Sequence, residues 1–342
     1  MLFTEYRIKN HTAKNRLVRS ATNEHLGELD GSVSPELIAL YEQLGRGGVG
    51  TIISGHFGVN AAFRATANQP LLTEDRFIPG AAALAEAAHR HNALIYGQIS
   101  QGGLQAWREA FDINGASRAD LQAIPGEFAA AAKRLKAAGY DGVQVHLAHG
   151  YFLSDVLDDT VNHRADEYGG SAAGRFRLVE AVLTAVREAI GPGMDLLVKL
   201  SANNKGQTPY RDTLLYYGRR LVECGVDAIE LSGADFRSRK APERAYYLEE
   251  ALALQAAVNI PVILVGGLRE RGPMEDILAR GIPLLSLSRP LICEPDLPQK
   301  MQQGQETSRC IGCFGCMSLY KSEYRNCRYL PESEHLRKIY GG

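Results

Sequence analysis

Two histidines and a tyrosine lie close together in the segment HLAHGY, which spans residues 146–151. Just before it, residues 142–147 alternate apolar side chains with Gln144 and His146, and this alternation predicts a short strand. Successive side chains of a strand point to opposite faces, so Gln144 and His146 share one face. Imidazoles and a phenol at a strand end can bind a carbonyl or anionic ligand and transfer protons near neutral pH. His146, His149 and Tyr151 are therefore the candidate catalytic group.

Two other interpretations of the same residues stay open. A histidine at a strand end is often a structural residue whose hydrogen bonds are satisfied inside the protein. His146 and His149 could also be metal ligands, although no carboxylate or cysteine lies at a matching offset nearby. A metal-dependent hydrolase that uses this pair is thus an alternative to chemistry based on an organic cofactor.

Further candidate binding residues follow other predicted strands. Gln98 offers an amide donor and acceptor, whereas Lys199 ends a strand in an apolar segment and would need an anionic partner if buried. Gly266 and Gly267 would let backbone N–H groups approach a phosphate, and Arg289 would add charged donors. Each feature has a simpler explanation as a turn or a solvated surface charge. The coincidence of the glycine pair and Arg289 after strands seven and eight favours a phosphate site, and Gln98 and Lys199 could hold a planar polar ring by its edge.

Four of the six cysteines form a second candidate site near the carboxyl terminus. Their spacing is Cys310-x2-Cys313-x2-Cys316-x10-Cys327. Thiolates at such short intervals suit a [4Fe–4S] cluster or, with less support, a structural zinc ion. Free thiols are the third possibility.

These candidate residues can form one site only in a fold that brings the ends of several strands close together. The predicted strands are 16–21, 49–54, 94–99, 142–147, 195–200, 228–232, 261–265 and 284–288. The predicted helices are 35–46, 78–92, 126–138, 175–190, 213–224, 246–258 and 272–280, and residues 100–123 are predicted to be a loop. Strict alternation favours parallel strands, and eight such units favour a single (β/α)8 TIM barrel with its chemistry on the loops after the strands. An open doubly wound sheet is the alternative, but it would require a Gly-rich turn after the first strand, and the sequence has none.

Composition narrows the class of protein. The 342 residues are 45% hydrophobic and 23% charged, as in ordinary globular proteins, and the formal charge of −1 provides no basic field for nucleic acid or an anionic membrane. No apolar run reaches the length of a membrane span, and the amino terminus lacks the apolar core of a signal peptide. We expect a cytoplasmic protein with one barrel domain over residues 1–342, including a cysteine-rich tail over residues 305–342.

With these residues placed, the chain resembles the old yellow enzyme family of FMN-dependent oxidoreductases from Asn15-Arg16 to Cys327. The most specific segments are HLAHGYFL at 146–153 and NHRADEYGGS at 162–171. Within the family the chain is most similar to the barrel domains of 2,4-dienoyl-CoA reductase and trimethylamine dehydrogenase. The cysteine spacing is similar to the cluster motif of the latter branch, although the last interval differs.

The resemblance implies where FMN would bind. Lys199 would lie beside flavin N1 and O2, where negative charge collects on reduction, and Gln98 would bond the pyrimidine edge. The residues expected along the flavin ring are Ser20, Ala21, Thr22, Gly55, Gln98 and Lys199. Those expected at the phosphate are Gly266, Gly267, Ser288 and Arg289. Ser288 departs from the glycine that many relatives carry, and the 100–123 loop is shorter than the usual capping segment.

The resemblance also implies a reaction. NAD(P)H would reduce FMN, and flavin N5 would pass hydride to an alkene conjugated to a carbonyl or nitro group. His146 and His149 would bind the substrate's oxygen, and Tyr151 would donate the proton. Amine oxidation and a role as a flavin and cluster electron-transfer subunit are the alternatives. We expect a small-molecule substrate, a homo-oligomer and possible contact with a redox partner protein, with no nucleic acid or membrane partner.

Overall fold

The structure is a computed structural model that describes residues 1–239, 242–316 and Cys327 of the chain. Within this described part, eight parallel strands pair side by side in chain order, and the last pairs with the first through Leu285 and Leu17. The predicted TIM barrel is confirmed. The barrel strands are β1 Leu17–Arg19, β2 Thr51–Ile53, β3 Leu94–Ser100, β4 Gly142–Leu147, β5 Asp195–Ser201, β6 Ala228–Ser232, β7 Val262–Val265 and β8 Leu284–Leu287.

Helices pack around the outside of the barrel, and their apolar faces form the main core against the outward-facing strand residues. They are α1 Pro35–Arg46, α2 Ile78–His89, α3 Arg118–Ala137, α4 Phe152–Leu157, α5 Ala172–Ile190, α6 Arg211–Glu223, α7 Leu248–Ala257, α8 Arg271–Ala279, α9 Arg289–Cys293 and α10 Leu297–Gln302. The smaller strands are an antiparallel pair, Tyr6–Arg7 with Thr12–Ala13, and Phe57–Gly58, which pairs with the end of β3. None of the described helices is long and apolar enough to cross a membrane.

The prediction for residues 100–123 was wrong at its carboxyl end. Helix α3 starts at Arg118, because Ser117 and Asp120 form a capping box that satisfies the first backbone N–H groups. The helix predicted from residue 126 therefore began too late, and Pro125 lies inside the observed helix. Helix α4 was also missed, because its six residues lie within a segment of mainly polar sequence.

The barrel interior is apolar at one end and polar at the other. Near the amino ends of the strands, a separate small core fills the barrel with Val18, Ile53, Tyr96, Leu197, Ala228, Ile263 and Leu284. Side chains two residues apart share a face. The inward positions one step further along therefore lie nearer the carboxyl ends, and several are polar: Ser20, Gln98, Gln144, Lys199, Glu230 and Ser286. The period of the strands thus places polar groups inside the barrel near the carboxyl ends of its strands.

After α10 the chain returns to the same end of the barrel. Thr307 forms a bridge with Glu270, and the N–H of Ser308 donates to the carbonyl of Arg269 at 2.8 Å. The backbone N–H of Arg309 donates to Glu294 Oε2 at 2.5 Å. These bonds bring the first of the four tail cysteines to the barrel rim.

Candidate active site

A solvent-open cleft, whose empty space including the open solvent at its mouth is about 1090 Å³, lies at the carboxyl ends of the strands. Of the predicted flavin and substrate residues, those that line it are Ser20, Ala21, Thr22, Gln98, His146, His149, Tyr151, Lys199, Gly266, Gly267, Ser288 and Arg289. Gly55 lies instead in the wall of a smaller neighbouring cavity. A Cβ at that position would lie 2.5 Å from the carbonyl oxygen of Thr22, so Gly55 allows two backbone segments to approach closely.

Lys199 has its anionic partner inside the protein. Its Nζ lies 3.2 Å from Oε2 of Glu230 and donates to Oγ of Ser20 at 2.7 Å. Burial lowers the pKa of the lysine, while the neighbouring Glu230 carboxylate opposes that shift. The pair is almost completely buried. The carboxylate of Glu230 therefore balances the positive charge of Lys199, the residue predicted to lie at the flavin edge.

The same carboxylate organises the base of the cleft. Oε1 of Glu230 accepts from the hydroxyls of Ser20 and Ser286, both at 2.7 Å. Its Oε2 accepts from Gln144 Nε2 at 3.0 Å, and Gln144 Oε1 accepts in turn from Gln98 Nε2 at 2.7 Å. This base network fixes the amide of Gln98, whose Oε1 takes no part in these bonds. A ligand donor can use that oxygen.

Sequence reasoning missed Glu230, although a signal was present. The residue is the only charged one within β6, whose other members are small or apolar. In the barrel it is the register partner of Lys199 on β5. A lone carboxylate on a buried strand, next to a strand that carries a buried lysine, predicts an ion pair once the strand order is known.

The three predicted catalytic side chains meet at the rim of the cleft. The rings of His146 and His149 lie 5.2 Å apart and nearly perpendicular, and the Tyr151 ring lies 4.8 Å from that of His146. Nε2 of His149 is 2.7 Å from Oγ of Ser232. Within the described part of the chain, the buried Nδ1 of His146 has no hydrogen-bond partner. Nδ1 of His146 is therefore a position at which a ligand can form a hydrogen bond.

Both imidazoles are held neutral. Burial lowers the pKa of His146 well below its ordinary value, and the neighbouring His149, His56 and Lys199 add to this shift. The pKa of His149 is lowered in the same way, first by burial and then by the charges of Lys199 and Arg237. At neutral pH each ring therefore has one N–H donor and one acceptor nitrogen.

A tight turn returns Tyr151 to the histidines. His149 and Gly150 both have left-handed backbone, with φ of +66° and +75°. A non-glycine residue in this conformation is uncommon and is tolerated where the surroundings hold it. Gln105 Nε2 does so by donating to the carbonyl of His149 at 2.8 Å. Tyr151 is the N-cap residue of α4, and its ring lies beside that of His146.

His56 is a further member of the rim that the sequence did not single out. Its ring lies 4.9 Å from that of Tyr151 and 6.2 Å from that of His146. Nδ1 of His56 is 2.6 Å from Oγ of Ser100, so the ring is fixed from behind. Its position shortly after the end of β2, like that of His146 at the end of β4, was the available signal.

The opposite end of the cleft suits a phosphate. Gly266 and Gly267 have φ of +123° and +69°, and a Cβ at Gly267 would lie 2.8 Å from the ring of Tyr246. Only glycine fits such backbone at this close approach. Arg289 donates to the Tyr246 hydroxyl at 3.1 Å, and its guanidinium lies 4.0 Å from the centre of the Phe314 ring.

The charged side chains among the described residues that line the cleft are all cationic. Its lining includes Lys199, Arg237, Arg269 and Arg289, and no aspartate or glutamate is among the described lining residues. Such a wall favours anionic ligands and repels cations. The glycine cradle and the cationic lining both fit FMN.

The four tail cysteines line a separate cavity of about 310 Å³, whose wall also includes Arg289 and Phe314. Cys310 lines the main cleft as well. Burial raises the pKa of the Cys310 thiol, and a hydrogen bond with Cys327 raises that of Cys293. In the described part of the chain, no three His, Cys, Asp or Glu residues are arranged as ligands to one metal ion. The structure gathers these thiols, and the metal centre stays a prediction.

Comparisons with known proteins agree with this geometry. The model of the NADH:flavin oxidoreductase / NADH oxidase family matches residues 1–118 and 114–308. The NADH oxidase of Thermoanaerobacter brockii is 32% identical over 92% of this chain and 53% of its own length. The NADPH dehydrogenase of Bacillus subtilis is 31% identical over 86% of this chain and 92% of its own.

Among solved structures, the old yellow enzyme homologue from Zymomonas mobilis has a TM-score of 0.79, covering 96% of this chain and 97% of that one. At 21% identity this likeness shows the shared fold. The chain spans about half the length of the T. brockii relative and nearly all of the B. subtilis one.

Proposed function

Because the chain belongs to the NADH:flavin oxidoreductase / NADH oxidase family, we propose that it uses NAD(P)H and FMN to reduce an alkene conjugated to a carbonyl or nitro group. The observation that carries this proposal is the pair of neutral imidazoles beside Tyr151 at the mouth of a cationic cleft. Imidazole N–H groups can bind an electron-withdrawing oxygen, and the phenol can supply a proton.

The chain's own residues would hold FMN along the cleft. Gly266, Gly267 and Arg289 would bind its phosphate, while Gln98 and Lys199 would meet the polar edge of its ring. FMN, when bound, supplies hydride transfer from NAD(P)H to the substrate. Since Lys199 is already paired with Glu230, the pair contributes an oriented dipole beside the flavin.

The rim residues would act on the substrate. His146 and His149 would donate hydrogen bonds to its oxygen, where negative charge develops as hydride arrives at the β carbon. Their lowered pKa values keep them as neutral donors, so they would orient and polarise this oxygen. Tyr151 would give its proton to the α carbon.

The charge of the cleft argues against the amine-oxidising alternative. Apart from Lys199, whose charge Glu230 balances, the described wall that a protonated amine would enter carries three arginines and no carboxylate. A metal hydrolase built on His146 and His149 also lacks a third described ligand close to the pair. An electron-transfer subunit would bind flavin at the same site as an alkene reductase. It would differ in that it turns over no small-molecule substrate.

Rapid mixing of anaerobic protein separates these functions. The flavin should bleach with NADH or NADPH and regain its colour with cyclohexenone or a nitroalkene, but oxidised flavin should not bleach with histamine or trimethylamine. Bleaching by amines with no response to enones would replace the proposal with amine oxidation. Reduction without reoxidation by any small molecule would favour the electron-transfer role.

For the cysteine cavity we propose a [4Fe–4S] cluster held by Cys310, Cys313, Cys316 and Cys327, with zinc as the alternative. The support is their common cavity and the affinity of thiolates for iron and zinc. Iron, sulfide and zinc analysis of anaerobically purified protein tests this. A protein that contains none of the three would have free thiols here, and the proposed alkene reduction would be unaffected.

A further inference from the structure

A buried ion pair lies next to the turn that brings Tyr151 to the rim of the cleft. Oδ1 of Asp155, on α4, is 2.6 Å from Nζ of Lys205, in the loop after β5. The Asp155 side chain is 2% exposed, whereas that of Lys205 is 33% exposed. Both residues are described, and neither is among those that line the cleft. Any effect of the pair on the reaction must therefore act through the turn.

Lys205 packs directly against the glycine of that turn. A Cβ at Gly150 would lie 2.6 Å from Cε of Lys205, 3.0 Å from its Nζ and 2.5 Å from Nε2 of Gln105. Only glycine leaves room for the lysine to reach Asp155 past this left-handed turn. The backbone N–H of Asp155 in turn donates to the carbonyl of Tyr151 at 3.0 Å. The ion pair therefore holds the glycine turn against the first turn of α4.

Other bonds hold the two segments together independently of the ion pair. The backbone N–H of Lys205 donates to Oδ2 of Asp158 at 2.7 Å, and Nδ2 of Asn204 donates to Oδ1 of Asp159 at 2.9 Å. Loss of the ion pair should therefore loosen the contact at Gly150 and leave the loop after β5 in place.

The two rim residues that flank Gly150 differ in how they are held. The ring of His149 is fixed by Ser232, whose Oγ lies 2.7 Å from its Nε2. The position of Tyr151 follows the backbone of the turn, because this residue is the N-cap of α4. Movement of the turn should therefore displace the phenol more than the imidazole.

The charge of Asp155 depends on pH near neutrality. Burial raises its pKa to about 6, although the ammonium of Lys205 opposes that shift, and the carboxylates of Asp158 and Asp112 add to it. Protonation of Asp155 therefore weakens the ion pair as the pH falls through about 6.

Two further ionisable residues lie on the elements that pack against α4. Nε of the buried Arg175, on α5, donates to the Tyr217 hydroxyl at 3.4 Å. His146, on β4, is held neutral because burial lowers its pKa well below the ordinary value. Lys205 is thus the cation paired with Asp155.

We propose that Asp155, acting through Lys205, is a positioning residue for the proton donor Tyr151. The charged carboxylate holds the lysine over Gly150, and this contact keeps the phenol within reach of the α carbon of the substrate. The inference rests on the proposed function, because it assigns proton donation to Tyr151. It adds that delivery of the proton depends on a carboxylate that does not touch the substrate.

A double-variant comparison tests whether Asp155 acts through the phenol. D155N should slow flavin reoxidation by saturating cyclohexenone about 10–100-fold at pH 7.5, because a misplacement of about 1 Å can have such a cost. Flavin reduction by NAD(P)H and phenol binding should change little. In the Y151F background the same D155N substitution should cause no further loss, because no phenol remains to be positioned. Equal losses in both backgrounds would show that Asp155 acts in another way.

The pH profile of reoxidation gives a readout that general damage to the structure would not move. The wild-type rate should fall with an inflection near pH 6 as Asp155 takes up its proton. D155N should be slow throughout and lack the inflection. K205M should shift the inflection to higher pH, because the ammonium no longer favours the charged carboxylate, whereas K205R should keep it near that of wild type.

Stability provides a measurement that needs no substrate. A carboxyl group whose pKa is raised by folding stabilises the protein at low pH, and this contribution is lost as the pH rises through the folded-state pKa. In urea unfolding of FMN-saturated protein, wild type should therefore lose stability relative to D155N between pH 5 and 7. The control is D276N, which removes an exposed carboxylate on α8 and should show no such change relative to wild type.

Failure of the positioning role can be distinguished from failure of the proposed function. If D155N is reoxidised at the wild-type rate while Y151F is slow, the positioning role is refuted and the proposed function stands. An inflection near pH 6 that persists in D155N would belong to another group and would also refute the role. If enones do not reoxidise the wild-type flavin, the proposed function is wrong and this inference is wrong with it.

Discussion

The base and the rim of the cleft use polar residues in opposite ways. At the base, Glu230 accepts from two serines and a glutamine and pairs with Lys199, so the charges are met inside the protein. At the rim, His146 and His149 are neutral, and Nδ1 of His146 is without a partner in the described chain.

Because of this difference, we expect the base and the rim to have different roles. A self-satisfied network has little left to offer a reacting molecule, but it holds a fixed electrostatic field beside whatever lies on it. Neutral rings with unmet hydrogen-bonding capacity can instead respond to the ligand. We therefore expect substitutions at the base to change stability and flavin potential, and substitutions at the rim to change the chemistry of the substrate.

The largest effect is expected at the rim. Y151F should slow flavin reoxidation by an enone about 10²–10⁴-fold, the usual contribution of general acid catalysis, while flavin reduction by NAD(P)H and phenol binding change little. Stopped-flow mixing measures each half-reaction. The control is Y216F on α6, outside the cleft, which should behave as wild type. Reoxidation of Y151F at the wild-type rate would show that solvent supplies the proton.

At the base, E230Q should mainly cost stability. It leaves Lys199 buried without its carboxylate, and breaking a buried pair from one side typically costs about 3–5 kcal/mol. The glutamine keeps some hydrogen bonds, so we expect the lower end of that range in urea unfolding. The flavin midpoint potential should rise, because the positive charge is no longer balanced. E223Q, which removes a carboxylate that is 59% exposed, is the control.

K199M should move the flavin potential in the opposite direction. Loss of the cation leaves Glu230 beside the flavin edge, so the potential should fall by about 30–60 mV, or roughly 1.4–3 kcal/mol for two electrons. Spectroelectrochemistry at full FMN occupancy measures it. The double variant K199M/E230Q should be more stable than either single variant, because no unpaired buried charge remains. Additive losses of stability would mean that the two side chains act separately.

The pH dependence of stability should report the neutral imidazoles. A histidine whose pKa is lowered in the folded state takes up its proton more readily when unfolded. Stability is therefore lost as pH falls below the ordinary histidine pKa, by up to about 1.4 kcal/mol per pH unit for each ring. Urea unfolding of FMN-saturated H146N/H149N protein should thus show a flatter decline from pH 7.5 to 5.5 than wild type. Identical slopes would contradict the buried neutral state.

Some of the site followed directly from local sequence. The alternation in residues 142–147 gave β4 with its observed bounds and placed Gln144 and His146 on the same face. By contrast, the corresponding helix was predicted from residue 126, whereas the capping box of Ser117 and Asp120 starts α3 at Arg118. The strand was found from its strict alternation, whereas the helix start depended on capping residues that the alanine-rich pattern alone does not reveal.

The sequence by itself determined the barrel, the strand ends that carry polar residues, and the cluster HLAHGY, because strand period and chain order are local properties. Only the tertiary structure decided that Lys199 faces Glu230, that His56 joins the rim and that Gly55 lies behind the cleft. Each of these depends on the register between strands distant in the chain. Closure of the barrel fixes that register, and with it which buried charges can meet.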